Sequence, residues 1–271
     1  QASKATISYK KPQGKLNVQD IHFRRELQQG GSGSIYLAEL KQKRKPVAVK
    51  IVPLHTFEAT ERFAFECLVS DKLVHSTHVV RTQGYFIHEK SGFIVMDAMY
   101  GDLLDSMHKY TTNQSIKKLF RRVCKGVAAC HRHKVAHLDI KPENILLDTK
   151  GKAYLCDFGA AHYFNGTLSS MCGTMLYNAP ETKRSFSFDK AAADIWSLGV
   201  LLFILFAGVY PYPGETDTEV MDSLEKEILD FSDLDDSSCS PEAKDLVLKL
   251  LNINPNKRPS IHQVLKHPFF A

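Results

Sequence analysis

Strand signals crowd the first third of the chain, and helical spacing governs most of the remainder. Ile35-Tyr-Leu-Ala-Glu-Leu40 and Val47-Ala-Val-Lys-Ile-Val52 are short runs rich in branched or aromatic residues, and Phe93-Ile-Val-Met96 is a third. Such runs predict strands. The charged stretch Lys41 to Lys45 between the first two reads as a solvated hairpin turn. Glu58 to Val74 breaks the pattern with a helical one. After Gly101 the helical period takes over: Ile116, Leu119, Phe120, Val123, Val127 and Cys130 recur at spacings of three and four. Ser115 is the expected N-cap of that helix. Further apolar helices are expected over 191–207 and 242–251, and a short strand from Lys152 to Cys156. Strands first and helices second predict an α+β fold with a sheet-rich small lobe and a larger helical lobe.

Composition narrows the class without choosing a function. The chain has 271 residues, 44% hydrophobic and 24% charged. That is the balance of a globular protein with a large core, and it excludes a collagen, a disordered tail or a disulfide-stapled miniprotein. The net charge of +5 is mild. It tolerates phosphate ligands but lacks the dense basic stripe of a nucleic-acid binder. Six cysteines, with no Cys-x-x-Cys pair, argue against zinc and thioredoxin chemistry. They read as reduced thiols of a cytoplasmic or nuclear protein. Residues 1–21 form a polar extension. No apolar stretch opens the chain, so no signal peptide is expected; without an initiator Met, it reads as a processed piece. The apolar run from Ile195 to Val209 is about 15 residues, short of the roughly 18 that suggest a membrane span. A buried core helix is the expectation, with no membrane partner. The sequence carries no signal for an oligomeric state.

Candidate chemistry begins at Gln28-Gln-Gly30-Gly31-Ser32-Gly33-Ser34-Ile35, a glycine cluster between two strand signals. Glycines let a backbone point its N–H groups at phosphate oxygens. The stretch is not a Walker-type phosphate loop, and it leads to a strand rather than to the helix of a dinucleotide fold. Lys50 then stands on an otherwise apolar strand. A buried lysine is costly unless paired. Glu66, flanked by apolar residues on the following helix, is the candidate partner; Glu58 and Glu61 are rivals that look solvated.

The most specific stretch is His137-Leu-Asp139-Ile-Lys141-Pro-Glu-Asn144. It packs a base, a cation and an amide together ahead of an apolar strand. Asp157-Phe-Gly159 follows, 18 residues beyond Asp139. Its carboxylate is suited to holding a magnesium ion. From these motifs the chain resembles the eukaryotic-type protein kinase family over about residues 22–270. The order is complete: glycine loop, Val47-Ala-Val-Lys50, Glu66, the Asp139 stretch, Asp157-Phe-Gly159, Cys172-Gly-Thr174, Ala179-Pro-Glu181, Asp194-Ile-Trp-Ser-Leu-Gly199 and Arg258.

The resemblance implies a bilobal kinase fold: an N-lobe over about 22–96, a hinge over about 97–100 and a C-lobe over about 101–270. It also implies ATP and Mg2+ as cofactors and protein substrates as partners. Lys50 would bind the α and β phosphates and pair with Glu66. Asp139 would accept the substrate hydroxyl proton. Asn144 and Asp157 would hold the metal, and Lys141 would neutralise the transferred phosphoryl group. The nucleotide would contact Gly30, Gly31, Ser32, Gly33, Ile35, Ala48, Met96, Asp97, Met99, Asp102 and Leu146. Met96 fits the gatekeeper position, the hinge backbone the adenine, and Asp102 the ribose; a helix-capping acid is the competing reading of Asp102. Lys141 and Thr174 look like the Ser/Thr branch, in which both contact the base. His137 and Asp194 are expected to brace the catalytic loop, and Glu181 with Arg258 to form a buried ion pair.

Several positions depart from the family's pattern. Gln28 stands in place of the first loop glycine, and Ser32 replaces the aromatic at the loop tip. Leu138 replaces the arginine that usually receives the activation-segment phosphate, and leucine cannot pair with phosphate. Activity is therefore expected not to depend strictly on phosphorylation of Thr167, Ser169 or Ser170, although Arg62 and His162 offer a residual basic pocket. Glu143 and Asp102 resemble acids that receive an arginine of the substrate, while Ile204 stands where another such acid is often found. A pseudokinase scaffold is the alternative, at odds with the intact set Lys50, Glu66, Asp139, Asn144 and Asp157.

Overall fold

The computed structural model describes residues 16–30, 33–42, 44–168, 172–234 and 239–271. Its chain divides into two compact units, Gln1–Val74 with Arg81–Ala98, and His75–Val80 with Met99–Ala271. The architecture is α+β: one unit is built on a sheet, the other mainly on helices.

In the first unit, strands β1 (Ile21–Gly30), β2 (Gly33–Leu40) and β3 (Lys45–Pro53) precede helix α1 (Phe57–Leu73), and β4 (Thr82–His88) and β5 (Ser91–Asp97) follow it. They form an antiparallel sheet in the order β1-β2-β3-β5-β4. Alternation along β3 decides which residues meet what. Val47 and Val49 enter a cluster with Ile21, Ala38, Leu40, Phe93 and Val95. Lys50 points the other way and pairs in register with Ile94, which packs with Phe63 and Cys67 of α1. Thr56 caps α1 by accepting from the Ala59 amide.

The polar extension is not featureless where it is described. Leu16 and Val18 pack against the sheet cluster, and Val18–Asp20 is a capped turn of 3-10 helix. Two apolar residues among polar ones were too sparse a signal for a packed segment. Gly31 and Ser32 lie outside the described residues, as do Lys43, Ser169 and Ser170.

The second unit runs through β6 (Gly101–Asp102), α2 (Leu103–Ser106), α3 (Asn113–Arg132), β7 (Val135–Ala136), β8 (Ile145–Leu147), β9 (Ala153–Leu155) and β10 (His162–Tyr163). Helices α4 (Glu181–Arg184), α5 (Lys190–Ala207), α6 (Asp217–Glu225), α7 (Pro241–Leu250) and α8 (Ile261–Leu265) complete it. All six periodic apolar residues of α3 are buried. Its cap is Thr112 rather than Ser115: the Thr112 side chain accepts from the Ser115 amide, and Ser115 reaches back to the Thr112 amide. Either residue type can cap, and the reciprocal bond of a capping box favours the earlier one. Helix α5 is long and apolar enough to cross a membrane, yet 83% of it is buried inside the fold. It is the core helix around which this unit is packed, and Gly208 ends it in the left-handed conformation, φ 75°.

Candidate active site

Each unit gathers its own set of chemical groups. In the first, the buried ammonium of Lys50 donates to both carboxylate oxygens of Glu66, at 2.8 and 2.9 Å. The residues are only 3% and 5% exposed, whereas Glu58 and Glu61 are solvated. Ile35 lies opposite Lys50 on β2, and Ala48 lies opposite Met96 on β5. Gly30 faces Gly33 at the end of the β1–β2 ladder. Gly33 has φ 127°, and a Cβ there would stand 2.1 Å from the Ile51 carbonyl oxygen. Only glycine fits at position 33. The Asp97 carboxylate is taken up by Lys45 at 2.7 Å and Gln83 at 2.6 Å, while its amide donates to the Arg81 carbonyl.

In the second unit, Asp139 is the centre of a dense cluster. Its Oδ1 accepts from the Thr174 hydroxyl at 2.8 Å, and its Oδ2 accepts from Asn144 Nδ2 at 2.8 Å. Lys141 Nζ lies 3.2 Å from the same Oδ2 and donates to Thr174 Oγ1 at 2.6 Å. The backbone beneath is held from the core. Asp194, fully buried on α5, accepts the His137 and Leu138 amides, each at 2.8 Å, and faces His131 Nε2 at 2.8 Å. His137 binds the Cys156 carbonyl through Nε2. The Cys156 amide donates to the Asn144 carbonyl. This pairing brings Asp157 beside Asn144, and Asp157 Oδ1 accepts from the Gly159 amide.

These groups fit a magnesium nucleotide. Asn144 spends its Nδ2 on the Asp139 carboxylate and carbonyl, which leaves its amide oxygen as the donor atom for a cation. A carboxylate and an amide oxygen are hard ligands, and Mg2+ typically takes one or two such protein ligands together with substrate phosphates and water. No group of three or more His, Cys, Asp or Glu side chains suited to a metal occurs among the described residues, so those residues form no dedicated all-protein cage of that kind.

Other expected residues divide by what they touch. Asp102 pairs with Leu146 across β6–β8, and its Oδ1 caps α2 by accepting from the Asp105 amide; the capping use is thus real. Met99 precedes Tyr100, whose amide donates to the Leu147 carbonyl. Arg258 makes a two-pronged pair with Glu181, at 2.6 and 2.8 Å, and lies over the Trp196 ring. The Tyr177 phenol is pushed up by burial, by its contact with the Tyr210 hydroxyl, and by the nearby charges of Glu143 and Asp139. Tyr177 therefore stays protonated beside the carboxylates.

Three contributors carry no signal in the sequence pattern. His131, in the last turn of α3, meets Asp194 from 63 residues away. Asn178 donates to the Cys172 carbonyl, fixing the turn that carries Thr174. Leu168 is buried and lines the same small cavity as Leu138. None has a local signature, because each acts through a partner distant in sequence or through a turn seen only when folded. Gly173 was a hint: its φ is 80°, and a Cβ there would come within 2.2 Å of the Leu138 carbonyl oxygen.

An antiparallel sheet unit with a buried Lys–Glu pair, and a helical unit with an Asp–Lys–Asn–Thr cluster, together define a protein kinase domain. The chain belongs to that family: residues 21–270 match the protein kinase domain. Its relatives place it among the serine/threonine kinases. It is 30% identical over 265 residues to an Aurora kinase of Dictyostelium discoideum, covering 95% of this chain and 67% of that protein. It is likewise 30% identical over 266 residues to the serine/threonine-protein kinase Aurora-2 of Arabidopsis thaliana, covering 96% and 93%. A carbon catabolite-derepressing protein kinase of Secale cereale is 30% identical over 253 residues, covering 89% and 49%. The chain thus spans from about half to nearly all of these relatives' lengths.

Proposed function

We propose that the chain transfers the γ-phosphoryl group of magnesium-bound ATP to serine or threonine hydroxyls of protein substrates. One observation carries the reading: Asp139 is held by Thr174, Lys141 and Asn144 at once. A carboxylate fixed on both oxygens cannot rotate, so its remaining lone pairs are aimed in advance. Bound Mg-ATP supplies the phosphoryl group and much of the charge compensation. Asp139 takes the proton of the attacking hydroxyl and holds that oxygen in line. Lys141, beside it, offsets negative charge that builds during transfer. Asn144 and Asp157 would hold the metal, and Lys50, paired with Glu66, would bind nucleotide phosphates. Incubation with radiolabelled ATP and a generic basic protein tests the reading. Label should enter serine or threonine and vanish with Asp139→Asn; equal labelling by that variant refutes it.

A preference for basic substrates follows from Glu143. One of its carboxylate oxygens, Oε2, is buried without a hydrogen-bond partner among the described residues. Leaving such an atom unpaired costs free energy, and turning the half-buried side chain outward to meet a substrate guanidinium would recover it. A peptide array that selects acidic or proline-directed sequences overturns this preference.

We also propose a reducing compartment, cytoplasmic or nuclear. Cys67, Cys124 and Cys130 are buried thiols, and burial foremost raises the pKa of each. Recovery of the native protein in a secreted fraction would contradict it.

A further inference from the structure

Leu138 sits directly before the base Asp139, with φ 61° in the left-handed region that residues with a Cβ avoid. Two contacts hold it there: its amide donates to Asp194, and its carbonyl packs closely on Gly173. Its side chain is 6% exposed and that of Leu168 is 4%. Both line one cavity of about 10 Å³ together with Ala179, Phe186, Phe188 and Ala193. A space of that size takes one water at most. Among the described residues, the wall includes no charged side chain. A phosphate entering here would find no cation among those residues, and burying an unpaired anion is strongly unfavourable.

We infer that Leu168 is a positioning residue: packed in the same cavity wall as Leu138, it fixes the segment 157–181 by apolar burial, so that Thr174 meets Asp139 without any phosphate on the segment. Leu168 stands six residues before Thr174. Freeing it lets that stretch leave, and with it the hydroxyl that holds Asp139 Oδ1. The inference rests on the catalytic reading for its effect on rate, but not for its effect on segment order.

Hydrogen exchange of the full chain and steady-state phosphoryl-transfer kinetics, measured together, test it. Leu168→Asn puts a polar group of nearly the same size into the cavity. It should speed exchange of amides 164–178 about tenfold or more and lower kcat about tenfold, with KM for ATP unchanged. Leu168→Met should preserve both, and Leu168→Ala should fall between if the asparagine variant proves too unstable. Phosphatase treatment and Ser170→Ala should change neither quantity. Exchange and kcat within twofold of the parent for both Leu168→Asn and Leu168→Ala overturn the inference, as does loss of segment protection on phosphatase treatment. If the parent transfers no phosphate while Leu168→Asn still loosens the segment, the latch stands and the catalytic reading fails.

Discussion

Removing the Lys50–Glu66 pair one partner at a time, and then both together, separates what it does for the fold from what it does for catalysis. The pair is nearly solvent-free and makes contacts of 2.8 and 2.9 Å. Lys50→Met takes the ammonium from the buried Glu66 carboxylate, and Glu66→Leu takes the carboxylate from the buried Lys50 ammonium. Breaking a buried pair in this way costs about 3–5 kcal/mol. For a domain of this size that lowers the melting temperature by roughly 6–20 °C. The double variant Lys50→Met/Glu66→Leu removes both charges and keeps similar volume, so its stability should return to within about 1 kcal/mol of the parent. Activity should not return with it. Loss of a charged group from the phosphates costs about a hundred- to a thousandfold in rate. Differential scanning calorimetry beside initial-rate kinetics in ATP gives both numbers. A double variant that melts like the parent and transfers phosphate within tenfold of it shows that the pair is structural only, and the assignment of Lys50 to nucleotide phosphates is then wrong.

Thr174→Ala deletes a hydrogen bond to a charged carboxylate, so kcat should fall about ten- to a hundredfold while Thr174→Ser restores most of it; steady-state kinetics on a basic peptide decide. Arg258→Met strips Glu181 of both its guanidinium contacts and removes the cation over Trp196. Urea titration should show a loss of about 3 kcal/mol, with an unchanged midpoint counting against a stabilising role. Asp148 offers a pH test. Partial burial raises its pKa, but the Lys152 and Lys150 amides and the Tyr154 hydroxyl prevail and hold it below the usual carboxylate range. A depressed folded-state pKa contributes stability above the unfolded value of about 4, lost as pH falls through the folded one. Asp148→Asn should therefore flatten the acid side of the stability curve below about pH 4, and an unchanged acid limb there would show the contacts to be without consequence.

Much of this was legible in one dimension because it is local. The spacing of Ile116, Leu119, Phe120, Val123, Val127 and Cys130 announces one buried helix face whatever that face packs against. Alternation along Val47-Ala-Val-Lys50 turns the lysine away from the two valines before any sheet is drawn. The stretch from His137 to Asn144 confines base, cation and amide to eight residues, close enough that one turn of 3-10 helix, Pro142–Asn144, suffices to bring them together. The choice of Glu66 over Glu58 and Glu61 also came from apolar neighbours, since a carboxylate on a buried face must find a cation.

Other features needed the folded chain, since their meaning lies in pairs far apart in sequence. Asp194 becomes the anchor of the catalytic loop only when α5 is sunk in the core and His131, His137 and Leu138 are stacked on it. Thr112 and Ser115 are equal as caps until the reciprocal bond forms. Leu138 read alone is a missing positive charge; in the fold it lines one small cavity together with Leu168. Periodicity and charge patterns travel with the chain, but a hydrogen bond or a filled cavity exists only once two distant stretches have settled the direction of their side chains. The sequence therefore pointed to the groups proposed for the chemistry, and packing decided which residues hold them still.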